Sequence, residues 1–237
     1  MTPNAPTKTT LHFIRHADAM PDPDVHVDQG AGYDLLSLSR KGARQAESLA
    51  RRMAATTPLI AVYSSPTLRA RETAEAVARA SGLHVEPDER LREVYLGDES
   101  LGEIQPAERA AAVRERLAKL ANIALTEGTW NAVPGAELGT HIRARMTSAV
   151  DDIVARHPEG HIAIVSHAGS INAYIATVLG IERDFFYPIG NTSLNTVRFY
   201  DRGPLIVRLN DTGHLESPLE TEAGQTVALH RTAQQSV

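Results

Sequence analysis

The sequence predicts an α/β fold: a three-layer α/β/α sandwich around a mostly parallel, mixed sheet, with a helical insertion. Short apolar runs at 10–14, 59–63 and 161–165 have the length and composition of buried strands. Longer segments with helical spacing of apolar residues lie between these runs, an alternation that is typical of parallel sheets covered by helices. Two further strands are predicted at 193–200 and 205–209, before the chain becomes polar.

Composition narrows the class of protein. The chain has 237 residues, of which 42% are hydrophobic and 22% charged, so it is long enough to bury a core of ordinary size. A net charge of −5 argues against a general nucleic-acid binder, and the absence of cysteine excludes disulfides and thiolate catalysis. No signal peptide and no apolar run of the roughly 20 residues that a membrane span needs are visible. We therefore expect a cytoplasmic protein without a membrane partner.

The domain organisation follows from the same patterns. We expect residues 1–8 to be a disordered lead-in and residues 9–212 to form a single domain. The segment from about 97 to 134 is read as a helical insertion over the sheet edge and not as a separate domain. Residues 213–237 are predicted to be a polar, loosely attached tail. The oligomeric state is left open, with a homodimer among the options.

The first half of the chain carries clear helix signals. A helix is predicted after Ser39, which is a good N-cap, and its apolar stripe is Ala43, Ala46, Ala50 and Met53. A second helix is predicted after Ser65, with Pro66 at its first position, and Gly82 is placed to end it.

The second half continues the alternation. A short strand is predicted at 84–86, followed by a helix at 105–125 in the insertion. Another helix is predicted from about 137 to 156, and it precedes the most apolar strand of the chain. The helix after that strand is predicted to end at Gly180.

Chemically active side chains follow three of the predicted strands. Arg15 and His16 end the first strand, Arg69 lies shortly after the second, and His167 follows a third. If these strands are parallel neighbours, their carboxyl ends meet in one crevice, where open α/β sheets bind ligands. The sequence therefore predicts a site that contains two histidines and two arginines.

These residue types suit phosphoryl chemistry. Two guanidiniums form a clamp for phosphoryl oxygens, and helix N-termini after Ser65 and His167 would add N–H donors. One imidazole can attack phosphorus, while the other, if protonated, stabilises charge on the transferring group. A carboxylic acid within reach would protonate the departing oxygen.

Five short motifs occur in a fixed order along the chain. They are Arg15-His16-Ala17, the stretch Ser64 to Ala74, Leu91-Arg92-Glu93, Pro134-Gly135-Ala136-Glu137, and Val165-Ser166-His167-Ala168-Gly169. Each motif is weak by itself, but the ordered set is a strong signal. The set resembles the histidine phosphatase superfamily, which has the phosphoglycerate mutase-like fold.

The resemblance implies roles for individual residues. His16 would be the nucleophile that becomes phosphorylated, and Glu93 would donate the proton to the leaving group. The phosphoryl group would be held by four residues: Arg15, Arg69, His167 and Ala168. The resemblance also implies a small phosphorylated substrate, no cofactor and no metal, because the cationic side chains supply the positive charge.

Three functions remain open. The leading hypothesis is a phosphomonoester hydrolase. The stretch 18–22 lacks the Ser and Asn by which mutases of the family grip phosphoglycerate, which makes mutase activity the second hypothesis. The third is a phosphoryl-binding module with weak turnover, because Ala17 replaces the glycine of the family motif. Glu89, Glu99 and Glu103 compete with Glu93 for the role of proton donor.

An acidic loop follows the first motif. Asp22, Asp24, His26 and Asp28 could hold a cation, but a solvated acidic loop is the favoured interpretation. A lid over the pocket is a further interpretation of the same loop.

Overall fold

The computed structural model describes residues 9–20, 36–96 and 106–215. The strands are β1 (Thr10–Arg15), β2 (Leu59–Ser64), β3 (Val85–Pro87), β4 (His161–Ser166), β5 (Leu194–Tyr200) and β6 (Gly203–Asp211). The helices are α1 (Arg40–Thr56), α2 (Leu68–Ser81), α3 (Pro106–Glu127), α4 (Gly139–Arg156) and α5 (Ala168–Leu179). Short 3-10 turns lie at Glu89–Leu91 and Trp130–Ala132.

One mixed sheet has the strand order β3-β2-β4-β1-β5-β6. Strands β3, β2, β4 and β1 are parallel, whereas β5 is antiparallel to both of its neighbours. In the register of the central pair, Thr10 lies opposite His161 and Arg15 opposite Ser166. Strands β1 and β4 therefore end side by side.

Helices cover both faces of the sheet, because side chains along each strand alternate between two buried clusters. Leu11 and Phe13 of β1 pack with α4 and α5, while Ile14 packs with α1 and α2. Burying strands on both faces explains why they read as continuous apolar runs. The predicted three-layer α/β/α sandwich is confirmed.

The helix ends agree with the sequence at most positions. Ser39 caps α1, since its hydroxyl accepts a hydrogen bond from the Gly42 N–H, and Gly82 ends α2 with a φ of 68°. The prediction that Ser65 caps α2 is wrong: the N-cap is Thr67, and the helix begins at Leu68. The Ser65 hydroxyl instead forms a hydrogen bond of 2.8 Å with Nε2 of His167. It therefore connects the ends of β2 and β4 and does not cap the helix.

The helix predicted within the insertion is confirmed as α3. Ala124 near its end packs with Trp130 and Val133 against the cluster beneath α4 and α5. Across the described ranges, no helix has the length and apolarity needed to cross a membrane.

The described part of the predicted tail, residues 213–215, contacts the domain. The carbonyl of His214 accepts a hydrogen bond of 2.6 Å from Ser48 of α1, which ties residues 212–215 to the domain. The lead-in, the acidic loop around Asp22 and the chain from 216 onward lie outside the described residues.

Candidate active site

Three parallel strands bring their carboxyl ends to one place, as the sequence predicts. The N–H of His16 donates to the carbonyl of Ser166 at 2.9 Å, so the chain after β1 stays beside the end of β4. The N–H of Ser65 donates to the carbonyl of Val165 at 2.9 Å and holds the chain after β2 on the other side. His167 follows β4 directly and is fully buried. These strand ends form the floor of the candidate site.

Arg69 lies between the two histidines and is fully buried. Its Nε is 3.3 Å from Nε2 of His16, and its Nη2 is 3.3 Å from Nδ1 of His167. The two imidazole rings are 5.0 Å apart between centroids. One guanidinium therefore contacts both rings that the sequence singled out.

The contacts of His16 fix its tautomer. Nδ1 lies 2.7 Å from the carbonyl oxygen of Ala17, which can only accept, so Nδ1 carries the proton. Nε2 is then bare, and it faces the Nε–H of Arg69. Burial, followed by the charges of Arg69 and Arg15, holds the pKa of His16 well below its ordinary value. His16 is therefore a neutral imidazole, and the lone pair on its Nε2 accepts the hydrogen bond from Arg69.

His167 is neutral by the same reasoning. Its Nδ1 accepts from Arg69, which can only donate, so Nε2 carries the proton and donates to Ser65. Burial and then the charge of Arg69 hold the pKa of His167 well below its ordinary value. The second imidazole of the site is therefore neutral, whereas the sequence analysis required a protonated ring to stabilise charge. The positive charge comes from the guanidiniums.

Ala17 is compatible with the site. Its N–H donates to the hydroxyl of Thr73 at 3.0 Å, and that hydroxyl donates to the carbonyl of Arg69 at 2.7 Å. The methyl group packs in a cluster with Ala46, Ala50 and Ala76 of α1 and α2. Among the described residues, the non-glycine positions with positive φ do not include Ala17. The position therefore needs no glycine, and small neighbours make room for its methyl group.

Glu93 lies at the N-terminus of α5. Its Oε1 accepts from the N–H groups of Val94 and Ser170, and its Oε2 accepts from the N–H of Gly169. A Cβ at position 169 would stand 2.8 Å from Oε1 of Glu93, so glycine is required for this approach. Two of the N–H groups predicted to bind the phosphoryl group are thus occupied by Glu93. Ala168 is the first residue of α5, beside His167.

Arg145 of α4 supports the segment that carries Glu93, and the sequence analysis missed it. The guanidinium donates to the carbonyls of Arg90 and Arg92 at 2.7 and 2.8 Å. The same side chain forms a two-pronged ion pair with Glu137, with N–O distances of 2.7 and 2.9 Å. Glu137, the last residue of the fourth motif, therefore holds the Arg145 side chain in place. Glu137 and Arg145 are eight residues apart, a spacing that no local pairing rule singles out.

The turn at residues 189–192 also contacts the first motif and was missed. The carbonyl of Ile189 accepts from the Arg15 guanidinium at 2.6 Å. The Asn191 side-chain amide donates to the carbonyl of His16, and the Thr192 N–H donates to the carbonyl of Arg15, both at 2.9 Å. The main chain after β1 is thus held by β4 on one side and by this turn on the other.

The sequence and the fold are similar to those of known proteins. A family model described as "Histidine phosphatase superfamily (branch 1)" matches residues 11–212. Phosphoserine phosphatase 1 of Hydrogenobacter thermophilus is 27% identical over 207 residues, which cover 86% of this chain and 93% of the relative. A probable phosphoglycerate mutase of Yersinia pestis is 26% identical and covers 88% of this chain and 95% of its own.

A solved structure, Bacillus stearothermophilus YhfR, superposes with a TM-score of 0.70 at 25% identity. The match covers 88% of this chain and all of that one. The curated relatives carry both phosphatase and mutase names at nearly equal identity. Sequence similarity therefore does not separate these two activities.

Proposed function

Because the chain belongs to the histidine phosphatase superfamily (branch 1), we propose that it is a metal-independent phosphomonoester hydrolase. It acts on a small phosphorylated metabolite through a phosphohistidine intermediate. The observation that carries the proposal is the neutral His16, whose bare Nε2 stands beside the guanidinium of Arg69. A nucleophile needs a lone pair, and a phosphoryl acceptor needs positive charge next to it.

In the first step, Nε2 of His16 attacks phosphorus and the bond from phosphorus to the ester oxygen breaks. Arg15 and Arg69 bind the phosphoryl oxygens and stabilise the charge that they carry. The departing oxygen takes a proton from Glu93 and leaves as an alcohol. The Nδ1–H of His16 stays bonded to the Ala17 carbonyl, so the ring keeps its orientation through the step.

In the second step, water attacks the phosphohistidine and the bond between phosphorus and nitrogen breaks. Glu93, now a carboxylate, takes the proton from that water, which restores its starting form. Inorganic phosphate leaves, and His16 regains its lone pair. The phosphate dianion beside His167 favours a proton on that ring, because an opposite charge raises the pKa of an imidazole.

Phosphoglycerate mutase activity is the second candidate, because one relative at 26% identity carries that name. A mutase returns the phosphoryl group from His16 to a second hydroxyl, whereas a hydrolase gives it to water. We favour hydrolysis because residues 18–22 lack the Ser and Asn of the mutases, and because a relative at 27% identity is a phosphoserine phosphatase.

The test is hydrolysis of an aryl phosphate in the presence of a chelator. Wild-type protein should release phosphate at an undiminished rate, and His16→Ala should lose activity by about 10³-fold or more. His84→Ala is the matched control, since His84 is exposed and directly precedes the edge strand β3. Full activity of the His16 variant would overturn the proposed nucleophile.

A substrate panel then divides the candidates. Phosphoserine, other small phosphomonoesters and 3-phosphoglycerate with a bisphosphate primer are compared under the same conditions. Release of inorganic phosphate at a rate well above phosphoryl isomerisation supports the hydrolase, and the reverse ratio supports the mutase. Phosphate binding without turnover on every substrate would point to a phosphoryl-binding module.

A further inference from the structure

The turn that holds the first motif contains an unusual backbone conformation. Thr192 is fully buried and has a φ of 57°. A β-branched residue in the left-handed region costs free energy, and such residues persist where the surrounding contacts determine the conformation. The contacts here are the bond from the Thr192 N–H to the Arg15 carbonyl and those of its hydroxyl.

The hydroxyl of Thr192 connects the turn to His214. Oγ1 donates to the carbonyl of Asn191 at 2.7 Å, so its proton is used there. Nε2 of His214 lies 2.9 Å from the same Oγ1 and must therefore be the donor. His214 is then protonated on Nε2 and bare on Nδ1. The Nη1 of Arg52 stands 3.5 Å from that bare nitrogen, which is consistent with this tautomer.

His214 itself is fixed to α1 and to the end of β6. Its carbonyl accepts from Ser48, and Arg52 forms a two-pronged ion pair with Asp211 at 2.9 and 2.5 Å. Burial, then the charge of Arg52, lowers the pKa of His214 to about 4, while Asp211 acts in the opposite direction. The ring is therefore neutral at neutral pH and keeps its donor on Nε2.

Together these contacts connect α1 to the first motif. Arg52 faces His214, His214 donates to Thr192, and Thr192 donates to the main chain at Asn191 and Arg15. Asn191 completes the connection by donating to the carbonyl of His16. We propose that His214 is a positioning residue that, through Thr192 and Asn191, orients the main chain of Arg15 and His16 for phosphoryl transfer.

This inference rests on the proposed function for its activity readout, because the groups that it positions are the proposed nucleophile and clamp. His214→Leu removes the donor at similar volume, whereas His214→Gln retains an amide N–H that can reach Thr192. We expect kcat of the Leu variant to fall about 10- to 100-fold, since small misplacements of reacting groups cost rates of this order. The Gln variant should stay within about threefold of wild type.

The control for a merely structural role is Val197→Ala. Val197 is a fully buried residue of β5 whose truncation lowers the melting temperature and leaves the His214 contacts intact. It should keep wild-type kcat at temperatures well below its transition. Normal kcat in His214→Leu, or an equal loss in the Leu and Gln variants, would overturn the inference.

A readout without turnover separates this inference from the proposed function. Hydrogen exchange of the Thr192 amide, which donates to the Arg15 carbonyl, should be about tenfold faster in the Leu variant and unchanged in the Gln variant. Amides of β4 provide the reference. If wild type lacks phosphatase activity but the exchange pattern holds, the proposed function fails and the contact network stands. Unchanged exchange in the Leu variant overturns the network itself.

Discussion

The residues proposed to bind and accept the phosphoryl group, together called the clamp here, are held by a different kind of structure from the proposed proton donor. Arg15 is the last residue of β1, and His16 and His167 directly follow β1 and β4, which pair along their full length. Arg69 lies on the first turn of the helix after β2. Glu93 lies on an irregular segment after a 3-10 turn. Main-chain ladders hold the first group, whereas side chains hold the second.

This difference determines which substitutions should disturb each group. The sheet fixes the strand ends, and the turn at 189–192, which contacts His214, holds the main chain after β1. Apart from these supports, the clamp depends on its own side chains. The segment of Glu93 is placed by three features outside it: the N-terminus of α5, the absence of a side chain at Gly169 and the guanidinium of Arg145. Substitutions at Arg145 should therefore affect proton donation more than phosphoryl binding.

The largest effect is expected for Arg69→Lys. Lysine keeps the charge but loses the planar fork that reaches both histidines, so kcat/KM should fall by about 10²–10³-fold. Arg71→Lys on the same helix is the control, since its side chain is half exposed and pairs with Glu75. Steady-state kinetics on an aryl phosphate decide the outcome. Comparable losses in both variants would show that the fork is unimportant.

Glu93→Gln should lower the rate by about 10²-fold for alkyl phosphates, which need a proton on the departing oxygen. For an aryl phosphate with an acidic leaving group the loss should be much smaller. Glu89→Gln, an exposed change in the preceding 3-10 turn, is expected to have no effect. An equal loss with both substrate types would remove Glu93 from the role of proton donor.

Arg145→Met should slow alkyl phosphate hydrolysis by about tenfold and leave inhibition by inorganic phosphate nearly unchanged. It removes the donors to the Arg90 and Arg92 carbonyls and leaves Glu137 without its ion pair, so stability should fall by about 1–3 kcal/mol. Kinetics and urea unfolding measure the two effects. Arg156→Met, at the exposed end of the same helix, is the control. Weaker phosphate binding in Arg145→Met would contradict the separation of the two regions.

Acidification to pH 6 should leave the clamp histidines neutral. The pKa values of His16 and His167 are lowered, so the unfolded chain takes up protons below about pH 6.5 that the folded protein does not. Their contribution to stability is therefore complete above that pH and declines as the pH falls below it. Imidazole nitrogen shifts in the phosphate-free protein test this directly. Titration of either ring near its ordinary value would contradict the neutral site.

The smallest effect on activity is expected for Ala17→Gly, which restores the residue of the family motif. The methyl group packs among alanines of α1 and α2, so kcat/KM should stay within about twofold. Stability should fall by about 1 kcal/mol, because a buried methyl is lost and the unfolded chain gains freedom. A large gain in activity would instead identify Ala17 as the cause of weak turnover.

The proximity of the proposed clamp residues could be predicted because each one lies at a position that the local sequence marks. Arg15, His16 and His167 each follow an apolar run, and parallel strands bring such ends together. The cap of α2 was assigned to Ser65 by the same local reasoning and was wrong, because its hydroxyl has a tertiary partner in His167. Local rules fail where a distant group competes for the same side chain.

The sequence did not reveal Arg145 and His214 for a related reason. Arg145 is one of 24 lysines and arginines, and its partners in the Glu93 segment are more than 50 residues away. His214 lies in a polar stretch that resembles a tail, and its contact with Thr192 forms only when β5 and β6 pack beside α1. Nothing in the local pattern distinguishes these residues from solvated ones.

The sequence by itself determined the sheet, the helices on its two faces and the meeting of Arg15, His16 and His167, because strand periodicity and parallel connections leave little choice. Only the tertiary structure decided that Glu93 takes the N-terminus of α5, that both histidines are neutral, and that Ala17 fits. These depend on burial and on hydrogen-bond partners far along the chain. Such energies arise only when the packed neighbours are in place.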